Sequence, residues 1–580
     1  MPAWIPGSYM IRDFARNVVE IHAEDDNGPL SIEKRDKDSW YCTPAKGALR
    51  LCYVVYAWDL SVRAAHLDRT HGYFNGTSVF LAVDGQEQQP CSVEIRAPRD
   101  QGMAHWSVAT TLPRKNAPLF GFGTYAAADY DELVDHPVEM GVFDDVEFEV
   151  AGVPHHIIIT GRHRTDRQRL CADVQRICRT HVDMFGELPA MERYMFLLMV
   201  VGDGYGGLEH RSSSSLMCSR AALPLANKRA MSDNYASLLG LFSHEYFHLW
   251  NVKRIKPQVF TPYDLSHEVH TCQLWAFEGI TSYYDDLGLV RSGVIDQPRY
   301  LQMFAQLATR VWRAGGRHRQ SVAESSFDAW TKFYKQDENA PNAIVSYYSK
   351  GALIAMALDL TLREATDDQH SLDDLMRLLW EQYGRPGKGV PEGAIEQHAA
   401  EIAGCDLSQF FQRYLYGKED VPLQGLLAKH GVEFTLRPAI NADDKGGALP
   451  EPAPESLPVH LGARVIADPA GARLTHVFEQ GPAHQGGLAA QDLIIALDGI
   501  KVGKENLETL IAAYPPDSKV TIHAFRRDEL MTFEVSLPAA PADTCVLVVQ
   551  DEVSEAVKQR RERWLDPSSE DKEDRKRHVR

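Results

Sequence analysis

Residues 244–257 read HEYFHLWNVKRIKP. Two histidines stand four apart with a glutamate directly after the first, the pattern His-Glu-x-x-His. On a helix this separation brings His244 and His248 to one face, where two imidazoles can hold one ion about 2 Å from each nitrogen. Glu245 points to the side, placed to take a proton from a water whose pKa the metal lowers towards 7. The pattern is short and the chain carries 23 histidines, so the chemistry needs support from other segments.

Catalytic zinc takes three protein ligands and keeps one position open. The segment LWAFEGITSYYDDL, residues 274–287, offers Glu278. An acid flanked by Trp275, Phe277 and Ile280 is out of place on a solvent face, and its burial is costly unless it meets a cation. Two imidazoles and a carboxylate suit zinc best, although cobalt or manganese can take the same donors. In VVGDGYGGLEHRSSSS, residues 200–215, Gly202, Gly204 and Gly207 formally spell G-x-G-x-x-G. No apolar helix follows, and no acid stands about 20 residues on, which argues against a nucleotide site. Gly206 and Gly207 instead let the backbone approach a ligand, and Glu209 at the end of the strand can meet a positive charge. In VSYYSKGALIAMALDL, residues 345–360, Tyr347 and Tyr348 precede a long apolar helix. A tyrosine so placed can donate its hydroxyl to an oxyanion developing beside the metal.

The elements that must position these groups are legible in outline. Ser232 or Asp233 can cap a helix on which Tyr235, Leu238, Leu239, Phe242, Tyr246 and Leu249 recur at helical spacing. Residues 1 to about 155 are strand-rich, with β-branched and aromatic runs separated by Gly, Pro, Asn and Asp clusters, as in a β-sandwich or an open β domain. From about 165 to 430 the period becomes helical, with one buried strand, RYMFLLMVV, at 193–201. The Pro- and Gly-rich stretch 441–458 reads as a linker, followed by a unit of about 85 residues and a charged, helix-like tail from about 550.

Composition narrows the function classes. The 580 residues and 44% apolar content fit a globular chain of three or four domains. A net charge of −19 argues against nucleic acid or anionic membrane as a main partner. The nine cysteines are scattered without a CxxC pair, which favours a reducing compartment and a cytoplasmic location. The start has no basic segment before an apolar core, so no signal peptide is expected. No 18-residue apolar run predicts a membrane span.

HEYFH, WAFEG, GGLEH and YYSKG together resemble the M61 glycyl aminopeptidase family of gluzincin metallopeptidases, and the likeness extends from PAWIPGSYMIRDFAR at the start through most of the chain. The resemblance implies a multidomain α+β protein: an N-terminal β domain (1–155) that in the family begins several strands earlier, a thermolysin-like, mostly helical zinc peptidase domain (156–440), a linker (441–456), a PDZ-like β domain (457–540) and a charged tail (541–580). It implies one zinc ion held by His244, His248 and Glu278, with Glu245 as general base. GGLEH resembles the Gly-x-Met-Glu-Asn segment of related aminopeptidases, which gives Glu209, with Gly206 and Gly207, the substrate's free α-amine. YSKG resembles their Tyr-Glu-Lys-Gly, which makes Tyr348 rather than Tyr347 the oxyanion stabiliser. Two departures stand out: the spacing from His248 to Glu278 is long for a thermolysin-like enzyme, and Ser282 stands where an Asp would orient a histidine.

The expected activity is removal of small N-terminal residues, Gly or Ala, from peptides. Two other readings compete with it. One is an endopeptidase of the same chemistry with Glu209 in a structural role. The other is an adaptor that captures peptide C-termini through the PDZ-like unit, with a vestigial hydrolase. In that unit the strand after Leu461-Gly462 and the helix around Leu507–Tyr514 would line the groove.

Overall fold

The computed structural model describes residues 1–450, 452–503 and 506–566. By internal contacts the chain divides into two compact units. One is Met1–Thr271 with Arg291–Ile295 and Asp373–Ile395; the other is Cys272–Val290 with Asp296–Leu372 and the described residues from Glu396 onward.

The first unit opens on antiparallel sheets, as the strand-rich pattern requires. Val18–Asp25 pairs with Gly28–Leu30 and Arg50–Val55. Ala65–Leu67, His71–Phe74, Val138–Gly141 and Ser107–Ala109 form a four-stranded sheet in that order. A five-stranded mixed sheet follows, made of β1 (Phe143–Val150), β2 (Val153–Thr160), β3 (Tyr194–Val201), β4 (Tyr205–Glu209) and β5 (Ser213–Ser219), in the order β1-β2-β3-β5-β4. β2 and β3 run parallel and are buried along nearly their whole length. This is why β3, YMFLLMVV, reads as a continuous apolar run. The expected boundary at 155/156 falls inside β2.

The sequence reading anticipated one strand between 165 and 430. The sheet contains three there, because β4 and β5 are built from YGGLE and SSSLMCS. Glu209 therefore closes a strand of its own and not the apolar strand β3. Glycine and serine carry little hydrophobic signal, yet Ser213, Ser214 and Ser215 are buried against the sheet's neighbours.

Two helices of this unit bear on the site. α1 (Arg167–Phe185) is capped by Asp166, whose carboxylate accepts from Arg169 N at 3.1 Å, and it ends on Gly186. α2 (Asp233–Phe247) is capped by Ser232, whose hydroxyl accepts from Tyr235 N at 3.2 Å. Its expected stripe of Tyr235, Leu238, Leu239, Phe242 and Tyr246 is buried, as is Leu249 beyond it.

In the second unit a π-helical turn, Trp275–Gly279, runs into α3 (Ile280–Arg291). α4 (Gln297–Arg313) and the buried α5 (Ser349–Ala365) complete the part that concerns the site. β6 (Val432–Arg437) then leads, through the expected linker, into a sheet of β7 (Ala463–Asp468), β8 (Gly471–Val477), β9 (Leu493–Leu497), β10 (Ser518–Arg526) and β11 (Glu529–Leu537), in that order, with α6 (Leu507–Ala512) before β10. The linker is pinned: Asp444 pairs with Arg437, and Gly447 N donates to Cys545 O at 2.8 Å.

The helix-like tail expected from about 550 is found, and a strand that was not expected precedes it. Residues Thr544–Val549 form a strand, β12, that pairs antiparallel with β6, and Glu555–Leu565 form a helix, α7. Trp564 and Leu565 are fully buried, and Trp564 Nε1 donates to Tyr283 Oη at 2.8 Å. Apolar side chains at intervals among the charges decide this; the run 567–580 lies outside the described residues.

Candidate active site

α2 and its C-terminal cap, His248, carry three of the predicted groups. The Nε2 atoms of His244 and His248 face each other at 3.0 Å, a separation that one ion about 2 Å from each nitrogen can bridge. His248 Nδ1 donates to the carbonyl of Asn251 at 2.5 Å. That bond fixes the tautomer and leaves the Nε2 lone pair directed at a metal. The second partner sought as an acid near Ser282 is thus, for His248, a main-chain oxygen supplied by its own helix terminus, invisible to a search for side chains.

Glu245 is buried one residue along. A Cβ placed on Gly207 would overlap its Oε1, so only glycine lets the β4 backbone come this close to the carboxylate. Glu209 ends β4 at 3% exposure, and its Oε1 has no hydrogen-bond partner. One ligand-type atom from each of Glu209, Glu245 and His248 lies within 4.8 Å of the others. An uncompensated carboxylate in such a place is costly until a cation arrives.

Sequence reading missed Gly7. Its φ is +91°, and a Cβ there would overlap both carboxylate oxygens of Glu209. The N-terminal segment IPGSY therefore closes over the predicted amine anchor. Only the PGS turn hinted at this; the approach itself spans two hundred residues of sequence.

α2 is also gripped from behind. His155 on β2 takes a hydrogen bond from Tyr246 Oη at Nε2 (2.9 Å) while its Nδ1 donates to Val153 O (2.9 Å). His181 on α1 lies 2.7 Å from Ser243 Oγ. Burial pushes the pKa of His155 down to about 4 and that of His181 to about 3.

In the second unit, Glu278 sits on the π-helical turn at 2% exposure among buried Trp275 and Phe277. Gly279 packs against α5 so closely that a Cβ would stand 2.6 Å from Gly351 Cα and 2.8 Å from Tyr347 O. The two motif glycines thus bring the WAFEG turn against the start of YSKG. Tyr347 is wholly buried, and burial, then the hydroxyl of Tyr334, then the Glu278 carboxylate hold its pKa well above the usual value. Tyr348 is part-exposed, with its hydroxyl 3.1 Å from that of Tyr334.

In the PDZ-like unit, β7 follows Gly462 and stands at the end of the sheet, with Val465 and Ile466 exposed. Leu510 and Tyr514, in and just after α6, pack part-buried on the same core as Ala463.

Comparison with known proteins gives three family matches: the peptidase M61 N-terminal domain over residues 1–142, M61 glycyl aminopeptidase over 237–354, and a PDZ domain over 459–537. The crystal structure of an aminopeptidase N family protein from Idiomarina loihiensis is 42% identical with a TM-score of 0.93, covering 98% of this chain and 94% of that one. An M1 zinc metallopeptidase from Deinococcus radiodurans is 15% identical with a TM-score of 0.43, over 70% of this chain and 85% of its own. A probable periplasmic serine endoprotease DegP-like protein from Pseudomonas fulva is 37% identical over 79 residues, and the match spans 13% of this chain and 16% of that relative. These matches define a metallopeptidase joined to a PDZ domain. The chain belongs to the M61 glycyl aminopeptidase family.

Proposed function

We propose that the protein is a zinc-dependent aminopeptidase that removes one small residue, Gly or Ala, from peptides with a free N-terminus. His244, His248 and Glu278 are the proposed ligands. Two imidazole nitrogens 3.0 Å apart, one fixed as an acceptor by Asn251 O, together with a buried carboxylate, fit the donor preference of zinc. Zinc bound there supplies Lewis acidity and a water acidified towards neutrality.

Within this reading Glu245 takes the proton of the attacking water and passes it to the leaving amine. Tyr348 donates to the oxyanion as the carbonyl carbon becomes tetrahedral; its partial exposure suits a group that must touch substrate, whereas Tyr347 is sealed in the core. Glu209 holds the substrate ammonium and so fixes the cut after the first residue. The observation that carries the assignment is this buried carboxylate with an unsatisfied oxygen, grouped with Glu245 and His248. Charge complementarity asks for a cation there, and a peptide N-terminus provides one. The PDZ-like domain, by family, binds the C-terminus of a peptide along β7 and α6.

The test compares a Gly-initiated peptide with its N-terminus free and acetylated, using zinc-loaded protein. Cleavage of the free form alone supports the reading. Equal cleavage of both leaves an endopeptidase, and cleavage of neither favours the PDZ adaptor.

A further inference from the structure

We infer that Arg63 receives the C-terminal carboxylate of the substrate, so that the enzyme acts on di- and tripeptides whose two ends are both recognised. This rests on the aminopeptidase reading above, with Glu209 holding the ammonium.

β4 is the outer strand of its sheet and pairs with β5 on one side. Successive residues of a strand face opposite ways. Gly207 faces Glu245, while Gly206 faces the N-terminal β region, where a Cβ would lie 3.7 Å from Arg63 Nη1 and 3.9 Å from Val62 Cγ2. Arg63 Nη2 donates to Gly207 O at 3.4 Å, so the guanidinium lies along the glycine backbone leading to Glu209. Its Nε is buried without a hydrogen-bond partner. Among the described residues no carboxylate pairs with it, the long bond to the Gly207 carbonyl being its side-chain contact. A part-buried guanidinium with unspent donors is suited to a carboxylate, which it can grip through two parallel hydrogen bonds.

The spacing selects the length of the peptide. Gly207 and Gly206 lie two and three residues before Glu209 on an extended strand, roughly 7 to 10 Å away at about 3.4 Å per residue. A peptide laid antiparallel along β4 with its ammonium at Glu209 reaches Arg63 with the carboxylate of its second or third residue. A longer chain presents a neutral amide at that point and leaves the guanidinium without its charge partner.

The experiment measures kcat/KM for Gly-Ala, Gly-Ala-Ala, a Gly-Ala pentapeptide and the amide Gly-Ala-NH2, with wild type and R63Q. Wild type is expected to prefer the free di- or tripeptide acid over the amide and pentapeptide by about 10- to 100-fold, the worth of a charged hydrogen bond. In R63Q the acid substrates fall by that factor, the amide is unchanged and the ratio approaches one. The same ratio is read without turnover as calorimetric affinity for Gly-Ala against Gly-Ala-NH2 in E245Q and in E245Q/R63Q. Equal handling of acid and amide by wild type overturns the inference. So does an equal loss on all substrates in R63Q, which marks a role in holding β4 only. Acetyl-Gly-Ala is the separate control: its cleavage sinks the aminopeptidase reading, whatever Arg63 does.

Discussion

Gly207 and Glu245 share a space that has room for no further atom: a methyl group on the glycine would overlap Oε1 of the acid. Replacing Gly207 by Ala therefore displaces the proposed base without touching a metal ligand. The expected result is a fall in kcat of about 10²- to 10⁴-fold, the range of a misplaced general base, with bound zinc unchanged by elemental analysis. E245Q should match it. An E245Q enzyme of near-normal kcat would mean that Glu245 is not the base, and a near-normal kcat in G207A alone would mean that the carboxylate moves aside for the methyl group.

Metal removal should act on both activity and stability. Chelation is expected to abolish hydrolysis, and added zinc to restore it. Because an ion held by the folded state stabilises it by mass action, about 4 kcal/mol at a thousandfold excess over Kd, the melting temperature should fall with chelator in wild type and stay unmoved in H244A/H248A. A chelator-insensitive melting curve for wild type would argue against the assigned ligands.

Acid should loosen the frame behind α2. His155 and His181 are buried, and burial holds their pKa values down to about 4 and about 3. The unfolded chain binds their protons from about pH 6.5 downward, while the folded chain does not until much lower. Stability from these groups is complete above pH 6.5 and is lost as the pH falls towards 4 or 3. By pH 5 each costs about 2 kcal/mol. Urea midpoints at pH 7.5 and 5.0 should differ accordingly, and His181→Gln should shrink the difference by about 2 kcal/mol. An unchanged slope would show that His181 is not buried neutral.

Trp564 is expected to matter far more than its place near the end of the chain suggests. Its indole donates to Tyr283 Oη, which in turn donates to Asp359 Oδ2 at 2.6 Å, and that link joins α7 to α3 and α5. W564A should destabilise by about 3–5 kcal/mol, and W564F by less, with the indole hydrogen bond worth about 1 kcal/mol. Scanning calorimetry of the three proteins reads this directly.

What the chain disclosed before folding followed from local chemistry. α2 was legible because its cap, its stripe and its histidines share one period, and the burial of Glu278 because an acid among aromatics is out of place on a solvent face. β4 and β5 were hidden since glycine and serine serve close approach and carry no apolar alternation. Gly7 could not be found at all: its meaning lies in a carboxylate 202 residues away in sequence. Asn251 was missed because its contribution is a carbonyl, which every residue has. At the end of the chain the helix was legible in the charged run, whereas β12 was not, because the strand it pairs with, β6, lies far earlier in the sequence.

The pairing of β6 with β12 places the whole PDZ-like unit inside a hairpin of the second unit. In genetic terms it is an insert and not an appendage. A stop codon after residue 440 would strip β6 of its partner and remove α7 with Trp564, so its phenotype would report on the peptidase as much as on peptide capture. An in-frame deletion that joins β6 to β12 through a short turn removes the PDZ-like unit alone.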